Sequence, residues 1–528
     1  MNISLRNKLF FLITFCVVFT QIPRFLQLNF LGSFLGKDLS LYPILVAFIY
    51  YAWTYRKGKI AFQLTNVTKV IVAYIIIYIT VIFISFIHGL YIYPYYNAIL
   101  TGPAQQIDKL PIVQQFLHGI GISLSEHTIL KFWMFARPIK GFILECFWYF
   151  SVPMLIYFWF KKDAHTGIII LHKAVISATV LVCLYSILDI FYLGGSIVAE
   201  SILIYLNPIV HDINSNGTWW PPLLWKGQLR SLFAEPSYYG IFSAFAMPWL
   251  WYSILKAHRL EKKILFILLF LFFCFSLFLT KARTANALLG GELFLLILIT
   301  ILHRKRDFIK NTILIVVLTL FSFSLAVFSM GYMPGSPSKT EVMGYNKDGT
   351  EEMGLYLADN LGSLSSSTQR SNKSRYSILK ANIAIGEDYP ILGVGKGLRN
   401  AYIPDYLPEE ALSGNEIQRW VYDQKVKGIM KSGFPALGEY STRFAETGML
   451  GLLIYLLPSF YLFIQLIKRM KSVSFNSAQK EETIFFFLSW VGIMASGLGD
   501  DLNVTCCYWI LMGIGYALIL SPYKKGES

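Results

Sequence analysis

The sequence predicts an all-α polytopic membrane protein with about twelve transmembrane helices and a large extracytoplasmic loop domain. Three observations predict it. Of 528 residues, 55% are apolar, 16% aromatic and only 15% charged, whereas a soluble domain carries about a quarter charged residues. The apolar residues collect into about twelve runs, each near the length needed to cross roughly 30 Å of hydrocarbon at about 1.5 Å per helical residue. Basic residues fall between alternate runs, the asymmetry that membrane insertion imposes on loops.

The runs lie at 8–23, 39–55, 67–90, 141–160, 168–193, 236–255, 264–280, 284–302, 311–332, 447–467, 483–499 and 503–522. Arg6 and Lys8 precede the first as they would in a signal peptide, but no small-x-small cleavage site follows, so it reads as a retained helix. Arg56, Lys57, Lys59 and Lys69 flank the second and third runs, Lys161, Lys162 and Lys173 the fourth and fifth, and Lys256, Arg259, Lys262 and Lys263 the sixth and seventh. Arg304, Lys305, Arg306 and Lys310 follow the eighth, Lys468, Arg469, Lys471 and Lys480 the tenth, and Lys524 and Lys525 the last. All share one side, which is therefore cytoplasmic and holds both termini. The net charge of +15 divides into about +17 on those segments and about −2 elsewhere. It orients the chain and gives no support to a nucleic-acid partner, since no stacking or glycine-rich nucleic-acid motif accompanies it. Cys16, Cys146, Cys183, Cys274, Cys506 and Cys507 show no C-x-x-C spacing, so neither a zinc site nor a disulfide framework is indicated.

Four outer segments are irregular enough to hold function: 91–140, 194–235, 333–446 and 499–503. The chain thus divides into a membrane part at 1–332, an extracytoplasmic loop domain at 333–446 and a second membrane part at 447–528. Proline and aromatic residues in 91–140 suit a re-entrant or surface-lying stretch, and Gly362 to Ser374 is biased towards serine.

Chemistry concentrates in four stretches. In Gly227-Gln228-Leu229-Arg230-Ser231-Leu232-Phe233-Ala234-Glu235-Pro236, Pro236 suits a first helical turn and places Arg230 and Glu235 near a helix N-terminus that favours anions. Simple snorkelling of Arg230 with pairing to Glu235 is the plainer reading. The turn Thr280-Lys281-Ala282-Arg283-Thr284 puts two cations at the outer surface, where loop charge rules disfavour them and an anionic ligand explains them. Ser374-Arg375-Tyr376 opens a short amphipathic helix, followed by Tyr389-Pro390-Ile391-Leu392-Gly393-Val394-Gly395-Lys396-Gly397. That glycine run is no Walker loop, because Gly397 stands where a magnesium-binding hydroxyl belongs. Glu439, Arg443 and Glu446 share one helix face in Glu439-Tyr440-Ser441-Thr442-Arg443-Phe444-Ala445-Glu446-Thr447-Gly448-Met449-Leu450-Gly451, where a surface ion-pair ladder is the plain alternative.

Taken in order over roughly residues 225–465, these patterns resemble the O-antigen polymerase and O-antigen ligase superfamily of bacterial envelope glycosyltransferases. The resemblance implies a GT-C-like membrane enzyme acting at the outer face of the cytoplasmic membrane, with a polyprenyl-pyrophosphate-linked oligosaccharide as donor and another as acceptor. It assigns the pyrophosphate to Arg230, Arg283 and Arg375, with Lys281 beside them, and a chain-length regulator protein is a further expected partner. A departing pyrophosphate needs fixed positive charge where negative charge develops, which agrees. Ligases of the superfamily carry a histidine where the large loop meets its final helix; here Glu439-Tyr440 stands there and 333–446 holds no histidine. The polymerase branch is therefore favoured over a ligase, with Glu439 as candidate base and Glu235 next. Tyr376, Trp219, Trp220 and Tyr440 are candidates for stacking on sugars. No cofactor and no metal is expected, because no pair of outer carboxylates is spaced to hold one and Asp500-Asp501 need not converge. Glu292, inside a span, reads as structurally paired. A flippase or transporter is the alternative from another class, but its half-repeats and midplane polar residues are not visible.

Overall fold

The computed structural model describes residues 3–28, 35–58, 66–213, 221–303, 305–331, 333, 370–472 and 477–520. Helices occupy every apolar run, and no strand occurs among the described residues. In chain order they are α1 (Ile3–Phe15), α2 (Leu41–Arg56), α3 (Asn66–Ile92), α4 (Tyr96–Leu100), α5 (Leu110–Gly119), α6 (Glu126–Cys146), α7 (Val152–Phe160), α8 (Ala164–Leu193), α9 (Ile197–Val210) and α10 (Pro236–Lys256). There follow α11 (Leu260–Leu279), α12 (Arg283–His303), α13 (Arg306–Met330), α14 (Arg370–Asp388), α15 (Arg399–Tyr406), α16 (Asn415–Lys427), α17 (Glu439–Lys471), α18 (Ser477–Ser496) and α19 (Cys507–Leu520).

Among the described residues, seven helical stretches are long and apolar enough to cross a membrane: α3, the continuous Glu126–Phe160, α8, α11, α12, α13 and α17. This is the make-up of a multi-pass membrane protein. The other five runs are helices that fall outside that set for plain reasons. α1, α2 and α19 have 13, 16 and 14 residues; Lys480, Glu481 and Glu482 lie in α18; and α10 is diluted by proline, serine, tyrosine and tryptophan. α9, an apolar helix within the 194–235 segment, was not expected.

Every residue of α10 from Tyr238 to Ile254 is buried, so its sequence shows no amphipathic stripe. It is the central post, packed against α8, α11, α12, α13 and α18. Gly240 makes the contact with α12 possible, since a Cβ there would come within 2.8 Å of Ala285. Between α12 and α18, Glu292 is 2% exposed and points at Gly492, and neither carboxyl oxygen finds a hydrogen-bond partner among the described residues. The expected pairing of Glu292 is thus not found among the described residues.

A second core lies outside this bundle. Phe86, Tyr93, Tyr96, Ile99, Leu110, Ile129, Leu130 and Met134 pack with Ile378, Ile385, Val394, Leu398, Tyr402 and Phe434. The large loop therefore shares its core with the 91–140 segment. The serine-biased residues 362–369 lie outside the described residues.

The two glycine motifs prove to be one structural unit. α17 is broken at Gly448, where φ is 64° and ψ −170°. An unbroken helix would bond Ala445 O to Met449 N and Glu446 O to Leu450 N. Instead Val394 N and Gly395 N donate to those carbonyls at 3.0 and 2.9 Å, and Met449 N and Leu450 N donate to Pro390 O and Ile391 O at 2.7 and 3.3 Å. The glycine loop replaces both missing bonds, as broken helices at membrane depth require. The crossing is so close that a Cβ on Gly448 would sit 2.3 Å from the Ile391 carbonyl carbon, and one on Gly393 2.4 Å from that of Glu446.

Candidate functional site

The first two sequence stretches meet through the backbone, Leu229 N donating to Leu279 O at 3.1 Å. Each holds a non-glycine residue at positive φ, Ser231 at 54° and Lys281 at 50°, a conformation that persists only where its surroundings enforce it. For Ser231 the enforcement is visible. The Asp189 carboxylate in α8 accepts from Arg230 N at 3.1 Å and Ser231 N at 2.6 Å.

Arg230 is 2% exposed and donates through Nη1 to Pro222 O at 2.9 Å and through Nη2 to Leu223 O at 3.0 Å. Burial pushes it below the ordinary arginine range, against the opposing pull of Asp189. Its fork holds the loop before α10 and does not face outward. Lys281 and Arg283 are partly exposed at the N-terminus of α12, where helix dipole and side-chain charge both favour an anion. Burial pushes Lys281 down.

Arg375, near the start of α14, reaches the turn between α18 and α19. It bonds Gly499 O, and its Nη1 lies 3.2 Å from Asp500 Oδ1. Burial works against its charge, but Asp500 and Glu235 outweigh burial and hold it above the ordinary value. Glu235 bonds Ser237 and opens α10. Because α10 and α12 touch at Gly240 and Ala285, the Arg283 turn, Glu235 and the Arg375 that Glu235 acts on electrostatically belong to one end of the bundle.

Behind this end runs a buried chain of alternating charge. Glu446 Oε2 meets Lys396 Nζ at 3.0 Å, Lys396 meets Glu145 Oε2 at 3.2 Å, Glu145 pairs with Arg443, and Arg443 Nε meets Glu439 Oε1 at 2.8 Å. Tyr149 donates to Glu439 at 3.0 Å and accepts from Arg443. Its placement follows from a π turn, Phe147–Ser151, between α6 and α7, a feature that often marks functional sites. For Lys396, burial and Arg443 lower its affinity for a proton, but Glu145 and Glu446 hold it above the ordinary lysine range. Beyond Glu439 lies the Asp501 carboxyl, close enough for the two groups to affect one another's charge. Glu439 N donates to Gly497 O at 2.8 Å and Asp500 O at 3.2 Å, so the start of α17 is clamped to that turn.

Of the sequence candidates, Arg375 and Glu235 come together, Arg283 and Lys281 lie at the same end, and Arg230 is turned inward. Glu439 is 4% exposed and engaged by Arg443 and Tyr149. Tyr376 is 47% exposed. Tyr440 directs its hydroxyl to Met494 O at 2.6 Å, and Trp219 and Trp220 lie outside the described residues. Glu145, Tyr149 and Lys396 were missed. An acid inside a predicted span is a functional signal in its own right, so Glu145 was findable; Tyr149 and Lys396 depend on tertiary approach. Asp500 and Asp501 were weighed only as metal ligands.

A family model described as O-antigen ligase matches residues 267–420, a span that holds Arg283, Arg375 and the glycine loop. No curated protein matches the chain. The family match supports kinship with the O-antigen ligase and polymerase superfamily, whose members are glycosyltransferase-like enzymes, without separating one branch from the other.

Proposed function

We propose that this chain polymerises polyprenyl-pyrophosphate-linked oligosaccharide repeat units into a surface polysaccharide at the outer face of the bacterial cytoplasmic membrane. The growing glycan passes from its carrier to the non-reducing end of an incoming lipid-linked unit. The observation that carries this reading is the gathering of Arg375, Glu235 and the Lys281–Arg283 turn at one end of the helices, beside a helix N-terminus. Guanidinium forks bind pyrophosphate oxygens in two-point fashion and offset the charge that builds as the glycosidic bond to phosphate breaks. Arg230 serves this site from behind, by fixing the loop that delivers Glu235. Tyr376 offers an exposed ring to a sugar. Membrane lipids surround the bundle, and a chain-length regulator is a further partner in this reading.

The description of the matched family model favours a second reading, a ligase delivering glycan to a lipid or protein acceptor. The lack of any histidine in 333–446 favours the polymerase. Purified chain reconstituted with lipid-linked repeat units separates them. A product ladder supports polymerisation, product only on addition of a separate acceptor supports ligation, and no product in either arm sinks both.

A further inference from the structure

Transfer from a pyrophosphate needs no acid for the leaving group once cations hold it, but the acceptor hydroxyl must lose a proton. Most carboxylates at this end are already engaged. Glu439 is held by Arg443 and Tyr149, Glu145 and Glu446 by Arg443 and Lys396, and Asp500 by Arg375. Glu235 accepts from Ser237 and faces Arg375. Asp501 differs in three ways. It follows Asp500, which bonds Arg375, so the two residues' Cα atoms are about 3.8 Å apart. The residue keeps some contact with solvent although its carboxyl is desolvated, whereas Asp500 and Glu439 are buried. Its Oδ1 is fixed by Asn503 N and Asn503 Nδ2, both at 2.8 Å, while the carboxyl group stands beside Glu439.

Resting on the glycan-transfer reading above, we propose that Asp501 is the general base that takes the acceptor hydroxyl's proton, with Glu439 as the positioning partner that tunes it. The hydroxyl oxygen bonds the donor's anomeric carbon as its proton passes to Asp501. The bond from that carbon to the pyrophosphate oxygen breaks, and its electron pair leaves with the pyrophosphate, against Arg375 and Arg283.

The electrostatic setting suits the role. Burial first, and then the neighbouring Glu439 carboxylate, push Asp501 up to about 8, against the Asn503 bond and Arg443. The other groups facing it are Arg399 from α15 and Tyr238 from α10, with Arg375 and Asp500 alongside. A base with a raised pKa is mostly protonated at neutral pH and active when it loses that proton. Turnover is therefore expected to climb as pH rises above neutrality and this carboxyl loses its proton.

The test uses the full-length chain in liposomes with lipid-linked repeat units, following turnover and donor KM across pH and the carbonyl band of protonated carboxyls by infrared titration. Asp501→Asn is expected to lower kcat about 10²-fold or more with donor KM little changed, and to remove both the limb and the infrared transition near 8. Glu439→Gln removes the neighbouring negative charge and is expected to move limb and transition to lower pH. Asp501→Asn with wild-type turnover and an unchanged limb overturns the base assignment alone. Glu439→Gln with an unmoved limb overturns the tuning role given to Glu439. A wild-type chain that transfers no glycan in any arm overturns the functional reading and this assignment together.

Discussion

Arg230 and Arg443 are both buried arginines in the ordered motifs, yet they do different work. Arg230 donates to backbone carbonyls at Pro222 and Leu223, with its own backbone held by Asp189. Arg443 sits between Glu145 and Glu439 and lies 4.7 Å from the Tyr455 ring centroid. The first region uses charge to shape a loop. The second uses it to assemble elements far apart in the chain, since Glu145, Lys396 and Glu439 come from α6, the glycine loop and α17. An arginine in a motif is therefore not a ligand-binding group until its partners are known.

The largest effect that sharpens this contrast is expected at Arg443. Arg443→Ala leaves Glu439 and Glu145 buried beside a lost cation, a loss of about 3–5 kcal/mol for a broken buried pair. Arg230→Ala leaves two carbonyls without donors and costs about 1–3 kcal/mol. Thermal unfolding of the detergent-solubilised chain checks the order, and equal shifts for the two variants would remove the distinction.

Next comes the splice. Gly448→Ala sets a Cβ against the Ile391 carbonyl at positive φ, with an expected cost of about 2 kcal/mol. Because the strain lies where the glycine loop crosses α17, proteolysis within 390–397 should rise before the rest of the bundle loosens. Unchanged cleavage there would show that the loop holds without the splice.

The catalytic side of the comparison is smaller in energy. Arg375→Lys keeps charge but loses the fork, so kcat/KM is expected to fall about tenfold, near 1.4 kcal/mol. Arg230→Lys should change it far less, because one ammonium still reaches a backbone carbonyl. Reconstituted turnover of both variants decides this, and a larger loss in Arg230→Lys would return that residue to the anion site.

How far these features are legible in the chain depends on their range. The helices of the twelve apolar runs follow from those runs, and the α12 N-terminus at Arg283 follows from the turn Thr280–Ala282, because both are local. The inward turn of Arg230 was not legible, since its carbonyl partners seven and eight residues back are set by packing on Asp189. The role of the glycine run was not legible either, because it is a contact with a helix some fifty residues later. Asp501 was visible as a residue but not as the neighbour of Glu439, which lies 62 positions earlier by their numbers.

The smallest effect concerns Tyr376, adjacent to Arg375 on α14. Its ring is 47% exposed and carries the Lys380 ammonium 4.8 Å from its centroid. An aromatic face is worth about 0.5–1.5 kcal/mol beyond area when it stacks, so Tyr376→Ala should raise the KM for the lipid-linked unit a few-fold at most. Turnover at saturation should stay near wild type, since the ring is assigned to stacking on the sugar and not to the proton transfer or the pyrophosphate. A fall in kcat with KM unchanged would instead place Tyr376 with Arg375 in stabilising the departing pyrophosphate. A null result in both parameters would leave Arg375 as the part of α14 that meets the substrate.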